Sequence, residues 1–200
     1  MGSSKAATTL LADRFITREG FWGDAARLAA ANVLMILCAK IALLLPWTPV
    51  PVTGQTFGVM LVAVLLGSRR GAIVLGLYLL EGLAGLPVFQ PFGAPGPARF
   101  FGPTAGYLLA YPLAAFVIGW LVERSRRPSL PRLAGALAAG EMIIFAAGCA
   151  WLAAGMGLGW PRAFAYGVIP FLPGDLLKTG LVMTAVRGVE YASGKNRAGE

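Results

Sequence analysis

From Leu28 to Val186 the sequence is a succession of apolar stretches, each near the length that crosses a bilayer as a helix, with most of the charge confined to the segments between them. Spanning the hydrocarbon takes about 20 mostly apolar residues in a helix. Six stretches approach that requirement: Leu28 to Pro46, Pro51 to Gly67, Gly71 to Leu86, Gly106 to Val122, Leu133 to Leu158, and about Ala163 to Val186. The second opens on the polar residues Thr53, Gln55 and Thr56, and both it and the third are short and interrupted by glycine. A broken or re-entrant helix there is the alternative to two full spans, tolerated where other protein or a cavity covers its backbone. The expected fold class is an all-α integral membrane protein with six transmembrane helices.

Composition excludes the soluble alternatives. Only 13% of the 200 residues are charged and 57% are hydrophobic, with a mean hydropathy of +0.70, whereas a soluble domain carries about 25% charged residues. So few charges cannot cover a globular surface, which argues against a soluble enzyme, a secreted disulfide scaffold and a disordered chain. The net charge of +8 would suggest nucleic acid in a soluble protein, but the distribution of the basic residues gives a different reason for it. If the amino terminus is cytoplasmic, the inner segments hold Lys5, Arg14, Arg18, Arg27, Arg69, Arg70, Arg124, Arg126, Arg127, Arg132, Arg187, Lys195 and Arg197, against Arg99 and Arg162 outside. This is the positive-inside bias; both termini are expected to be cytoplasmic, in a multi-pass protein of the cell membrane, and no nucleic-acid partner is needed. Cys38 and Cys149 lie inside apolar stretches and read as small buried hydrophobes. The chain has no histidine, which removes the commonest general base and metal ligand; no metal or cofactor is expected.

The expected organisation is a tail or interfacial helix over residues 1–27, a six-helix domain over 28–186 and a cytoplasmic tail over 187–200. In the first segment Leu10, Leu11, Phe15, Phe21 and Trp22 alternate with charges, as in helices that lie on a membrane. No secretory signal precedes Leu28, and Ala6 stands where a myristoylation pattern requires Ser or Thr.

Five ionisable residues fall inside the apolar stretches: Lys40, Glu81, Glu141, Asp175 and Lys178. A charge at a helix centre costs about 2.5–3.5 kcal/mol on insertion scales, so one that is retained faces a cavity or a partner. The expected orientation puts Lys40, Glu81, Asp175 and Lys178 in the outer half and Glu141 nearer the cytoplasm. In "IPFLPGDLLKTG", Ile169 to Gly180, two prolines and a glycine precede Asp175 and Lys178. Three residues apart on a helix, the two side chains share a face and can be bridged by one small polar ligand; an internal salt bridge is the alternative. The segment Pro87 to Pro103, "PVFQPFGAPGPARFFGP", is long for a structureless loop. Its phenylalanines argue against disorder, so it is expected to form an outer lid. Arg99, its only charge, is then a candidate contact for an anionic ligand group, or snorkels to lipid phosphates. Tyr107, beside the small residues Gly102, Ala105 and Gly106, is either a ligand contact or part of an interfacial aromatic belt. Glu81 and Glu141 are better explained as packing partners for Lys40 or a backbone group. There is no G-x-x-x-x-G-K-[ST] phosphate loop and no G-x-S-x-G elbow, so the chain is expected to be a transport protein without its own ATPase rather than an enzyme.

Four blocks resemble one family. "LPWTPVPVTGQTFGVMLVAVLLGSRRGA" (Leu45 to Ala72), "GLAGLPVF" (Gly82 to Phe89), "GPTAGYLLAYPLAAFVIG" (Gly102 to Gly119) and "PFLPGDLLK" (Pro170 to Lys178) resemble the BioY family, biotin-specific S components of energy-coupling-factor (ECF) transporters. The resemblance covers most of residues 28–186 in order. It implies an S-component fold that takes biotin from outside for import, with a transmembrane coupling subunit and two ATPases as partners; whether the chain also forms a homo-oligomer stays open. It maps the family's Asp and Lys onto Asp175 and Lys178 and its aromatic onto Tyr107. Biotin's ureido ring offers two N–H donors and a carbonyl, so Asp175 can accept and Lys178 donate; the apolar part would pack on lid aromatics such as Phe89, and the carboxylate would reach Arg99. The reverse pairing, Lys178 to the carboxylate, stays open, and Gln55 completes the candidate contacts. Small residues at four-residue spacing, which S components use to dock on the coupling subunit, occur at Ala25, Ala26, Ala29 and Ala30 but stop at Leu34 and Met35. The rival functions are an S component for another small vitamin and an intramembrane enzyme using Glu81 or Asp175 on a lipid.

Overall fold

The structure, a computed structural model, describes residues 20–125 and 128–198, with side chains for 22–125 and 128–188. It is mostly helical, and five helices among the described residues are long and apolar enough to cross a membrane. In chain order these are α1 (Phe21–Lys40), a short antiparallel pair β1 (Ala42–Leu43) and β2 (Val52–Thr53), α2 (Gln55–Leu83), a 3₁₀ turn (Gly96–Phe101), α3 (Ala105–Glu123) and α4 (Leu130–Ala150). A π-turn (Trp151–Gly155), α5 (Trp160–Gly167), a second 3₁₀ turn (Ile169–Phe171) and α6 (Leu172–Ala198) complete the chain. The expectations for residues 1–19, including the basic residues Lys5, Arg14 and Arg18, lie outside the described residues, as do Arg126 and Arg127.

α2 is one element in name only. At Gly67 the backbone takes φ 78°, ψ −174°, a region essentially reserved for glycine, and the two arms fold back on each other. Gln55 Nε2 lies 2.8 Å from the Tyr78 hydroxyl, although 23 residues of straight helix would separate them by about 34 Å. The expected second and third stretches are therefore the two arms of a helical hairpin. Glu123 at the end of α3 closes the bend, accepting bonds from Ser68 N–H and Oγ, each at 2.7 Å.

Two other expected stretches change shape. The first ends as helix at Lys40 rather than Pro46. Beyond it Pro46, Pro49 and Pro51 withhold the N–H groups a helix needs, and the chain forms the β1–β2 ribbon instead. The helix also starts at Phe21, ahead of Leu28. The sixth stretch is split: α5 stops at Gly167, a 3₁₀ turn holds Pro170, and α6 begins at Leu172 with Pro173 in its first turn, where a missing N–H costs nothing. Lys40, expected inside a helix, is its last residue.

α2 and α3 form the enclosed centre and are mostly buried, whereas α1 and the segment containing α5 and α6 are mostly exposed along their apolar lengths. The outward faces of these outer elements carry Val33, Leu37, Leu176 and Leu177, all exposed, as suits helices whose solvent is lipid. Both cysteines are buried and unpaired. At one end of the bundle stand the Gly67 bend with Arg69 and Arg70, the Arg70–Asp24 ion pair at 2.7 Å, Arg124 and Arg187, which donates to Pro128 O. The β1–β2 ribbon, the 3₁₀ turn at Gly96–Phe101 and the start of α6 gather at the other end.

Candidate functional site

A narrow cleft, with about 30 Å³ of enclosed space, opens at that second end. One wall is the turn into α2 (Val50, Pro51, Thr53, Gln55, Thr56), another the start of α3 (Thr104, Tyr107, Tyr111), with Phe145 of α4 and Phe171, Asp175 and Lys178 completing it. The helix break at Pro170 and Pro173 delivers the charged pair: α6 starts just ahead of Asp175, in the first turn, where free N–H groups favour a carboxylate.

Asp175 is 2% exposed, and its Oδ1 accepts from Lys178 Nζ at 2.6 Å and from Thr56 Oγ1 at 2.9 Å. Lys178 also reaches Thr56 Oγ1 at 2.9 Å. Three groups from two elements therefore form a closed polar triangle. The ion pair that was an alternative to ligand binding is present, but it does not exhaust either partner. Asp175 Oδ2 takes no bond in the triangle, and an ammonium has a third donor. Both remain for a ligand.

Around this polar floor the walls are aromatic. Tyr107 is buried and donates to Gly167 O at 2.7 Å, and its ring lies where a side chain on Gly148 would stand. Tyr107 thus lines the cleft with its phenol spent on the backbone. Gln55 is held by Tyr78 and accepts from Thr53 Oγ1 at 3.1 Å.

The lid segment is ordered by two cations. Lys40 Nζ donates to Pro87 O and, at 2.8 Å, to Phe89 O, so α1 pins the start of the segment. Arg99, 6% exposed, donates to Phe92 O and, at 3.0 Å, to Gln90 O, lies 5.9 Å from the Phe89 ring and leaves Nε buried without a partner. Burial pushes the guanidinium's pKa down from its ordinary value. Arg99 lines a second cleft, of about 210 Å³, with Leu44, Gln90 and Phe92; Pro51 and Thr104 are shared with the first cleft, so the two are contiguous.

Of the residues expected to bind ligand, the structure brings Asp175, Lys178, Tyr107 and Gln55 to one cleft and Arg99 to its neighbour. Phe89 lines neither. It is buried in the core, edge-on to Tyr78 at 5.2 Å and to Phe100 at 5.8 Å, because Gly82 leaves room for its ring. Glu141 lies eleven residues into α4, one helical turn before Phe145, and its Oε1 is buried with no hydrogen-bond partner. Thr56, Tyr111, Phe145 and Phe171 were not singled out as contacts. Tyr111 could have been, since it follows Tyr107 by one helical turn; Phe145 and Phe171 sit on elements whose sequence says nothing of what they face.

Comparison with known proteins places the chain in a family. A model of the BioY family matches residues 8–195. A biotin transporter BioY of Rhizobium etli is 38% identical over 165 residues, covering 79% of this chain and 86% of its own length. The biotin transporter BioY of Rhodobacter capsulatus is 40% identical over 152 residues, covering 68% and 78%. The crystal structure of the S-component for biotin from an ECF-type ABC transporter superposes with a TM-score of 0.79 at 25% identity, over 88% of this chain and 94% of that one. With sequence matched over nearly its whole length and the fold matched with it, the chain belongs to the BioY family.

Proposed function

We propose that the protein is the biotin-binding membrane component of an uptake transporter. The observation that carries this is the Thr56–Asp175–Lys178 triangle on the floor of an aromatic cleft, with a carboxylate oxygen and an ammonium hydrogen unspent. A ureido ring matches that pair of vacancies: its N–H donates to Asp175 and its carbonyl accepts from Lys178. Charge-assisted bonds of this kind are about twice as strong as neutral ones. Tyr107, Tyr111, Phe145 and Phe171 offer apolar surface to the bicycle. The acyl chain runs past Pro51 and Thr104 into the second cleft, where the carboxylate meets Arg99 and its unpartnered Nε.

In the bilayer, the two arms of α2 count separately and give six membrane-embedded rods, arranged as the domain 28–186 with the cleft outward. The end carrying Arg69, Arg70, Arg124 and Arg187 faces the cytoplasm with both termini, which the positive-inside bias supports. This is a cell-membrane protein that captures ligand and leaves ATP hydrolysis to a coupling subunit and two ATPases; the Ala25, Ala26, Ala29 and Ala30 face of α1 is the candidate docking side. Equilibrium binding of labelled biotin to the purified chain tests the site: Asp175→Ala and Lys178→Ala should each lose most of the affinity. Full affinity in both variants rejects it, and displacement by a different vitamin rather than by biotin assigns another ligand.

A further inference from the structure

The lid segment carries a buried polar side chain that has no part in the ligand contacts above. Gln90 is 4% exposed and lies in the wall of the second cleft with Arg99. Its conformation follows from its neighbours. Pro91 has no N–H to offer, so the side chain closes on the next one, and Oε1 accepts from Phe92 N–H at 2.7 Å. A backbone N–H can pair only with the oxygen of an amide, which fixes the orientation of the group. Nε2, with both its hydrogens, is left without a partner among the described residues and within reach of the cleft that Gln90 lines.

The rest of the cleft has the same polarity. The carbonyl oxygens of Phe92 and Gln90 are both turned to the Arg99 guanidinium, the second at 3.0 Å. Gly93 takes φ 89°, and a guanidinium nitrogen lies 3.0 Å from where its Cβ would stand, so the loop wraps the cation closely. Arg99 Nε keeps its hydrogen unbonded. Among the described residues the Thr104 hydroxyl is the one other polar side-chain group in the lining. Gln90 and Arg99 thus present N–H groups to the cleft with the neighbouring acceptors already spent. A carboxylate, which only accepts, satisfies such a pair. A carboxamide can turn its carbonyl to one donor, but its nitrogen then faces the other, and a polar group left unpaired in a buried site is costly.

We propose that Gln90 is a specificity-determining residue: its amide N–H binds the ligand's carboxylate beside Arg99 and selects ligands that end in a free carboxylate over those that end in an amide. The inference rests on the reading of the two clefts as the biotin site and adds to Arg99 a second, uncharged donor. A site built to hydrogen-bond one group discriminates strongly against the analogue that cannot answer it.

The test is calorimetric binding of biotin and of biotin amide at neutral pH to the full chain, in the wild-type protein, Gln90→Glu and Gln90→Met. The wild-type protein should prefer biotin. Gln90→Glu keeps the bond to Phe92 N–H but replaces the free NH2 with a carboxylate oxygen, which repels the ligand's carboxylate and accepts from an amide. Its preference for biotin over biotin amide should fall by at least about tenfold, the equivalent of one charge-assisted hydrogen bond. Gln90→Met keeps the length of the side chain without its donors, and should weaken biotin more than biotin amide; it carries the test should Gln90→Glu fail to fold. A glutamine that only orders the loop weakens both ligands together, so an unchanged ratio in any folded variant overturns the proposal, as does a wild-type protein that binds the two equally. A wild-type protein that binds neither overturns the ligand assignment itself.

Discussion

Asp175→Asn removes the charge that holds Lys178 while keeping the side chain's shape and one acceptor oxygen. The native carboxylate is 2% exposed, the Lys178 side chain 16%, and their separation is 2.6 Å. Removing one partner of a buried pair strands the other and costs about 3–5 kcal/mol. The remaining acceptor and the lysine's partial exposure put the expected loss at the lower end, about 3 kcal/mol. For a chain of this size that is a fall of about 6–12 °C in Tm. Lys178→Met should cost a similar amount by stranding Asp175, but the double variant strands nothing and should recover most of the stability. Ligand affinity should behave differently. Each hydrogen bond to a charged group contributes about 1.5–3 kcal/mol, so each single change lowers affinity roughly tenfold to a hundredfold, and combining them restores none of it. The assay pairs thermal denaturation of the purified protein with labelled-ligand binding on the same samples. Recovered stability without recovered affinity is the signature of a site that holds its own counter-ions; a double variant as unstable as the two single losses added together would refute the reasoning.

Other changes probe the scaffold. Gly67→Ala forces a Cβ into positive-φ backbone beside Glu123 and should cost roughly 1–3 kcal/mol, seen as a lowered Tm with ligand contacts intact; a neutral result would mean the hairpin bend is not held as described. Tyr107→Phe deletes the bond to Gly167 O, so stability should drop by about 1 kcal/mol while affinity changes by less than about tenfold; a larger binding loss would assign the phenol to the ligand. Arg99→Ala removes the donors to Phe92 O and Gln90 O, and limited proteolysis should then cut the segment 87–103 faster than in the wild-type protein. Equal rates would show that the guanidinium does not organise the lid.

The helical, membrane-embedded character of the chain was legible because it follows from composition and spacing alone: too few charges to cover a soluble surface, and apolar runs of spanning length. Asp175 and Lys178 were legible for a related reason, since charges inside such runs are expensive and prolines ahead of them break the helix. Where expectation failed, the cause was tertiary. Phe89 looked like a lid aromatic because its loop is exposed in sequence terms, but Gly82 makes room for it in the core. Lys40 looked like an intramembrane charge, yet the helix ends under it and two lid carbonyls satisfy it.

By itself, then, the sequence determined the solvent, the approximate spans and the two charges of the candidate site, because hydrophobicity, charge and proline act locally along the chain. Tertiary structure alone decided that Thr56 joins that pair from 119 residues away and that α2 doubles back so that Gln55 meets Tyr78. Each of these depends on which helix faces pack together, and in a chain whose helices are apolar on nearly every side, periodicity does not say which face turns inward.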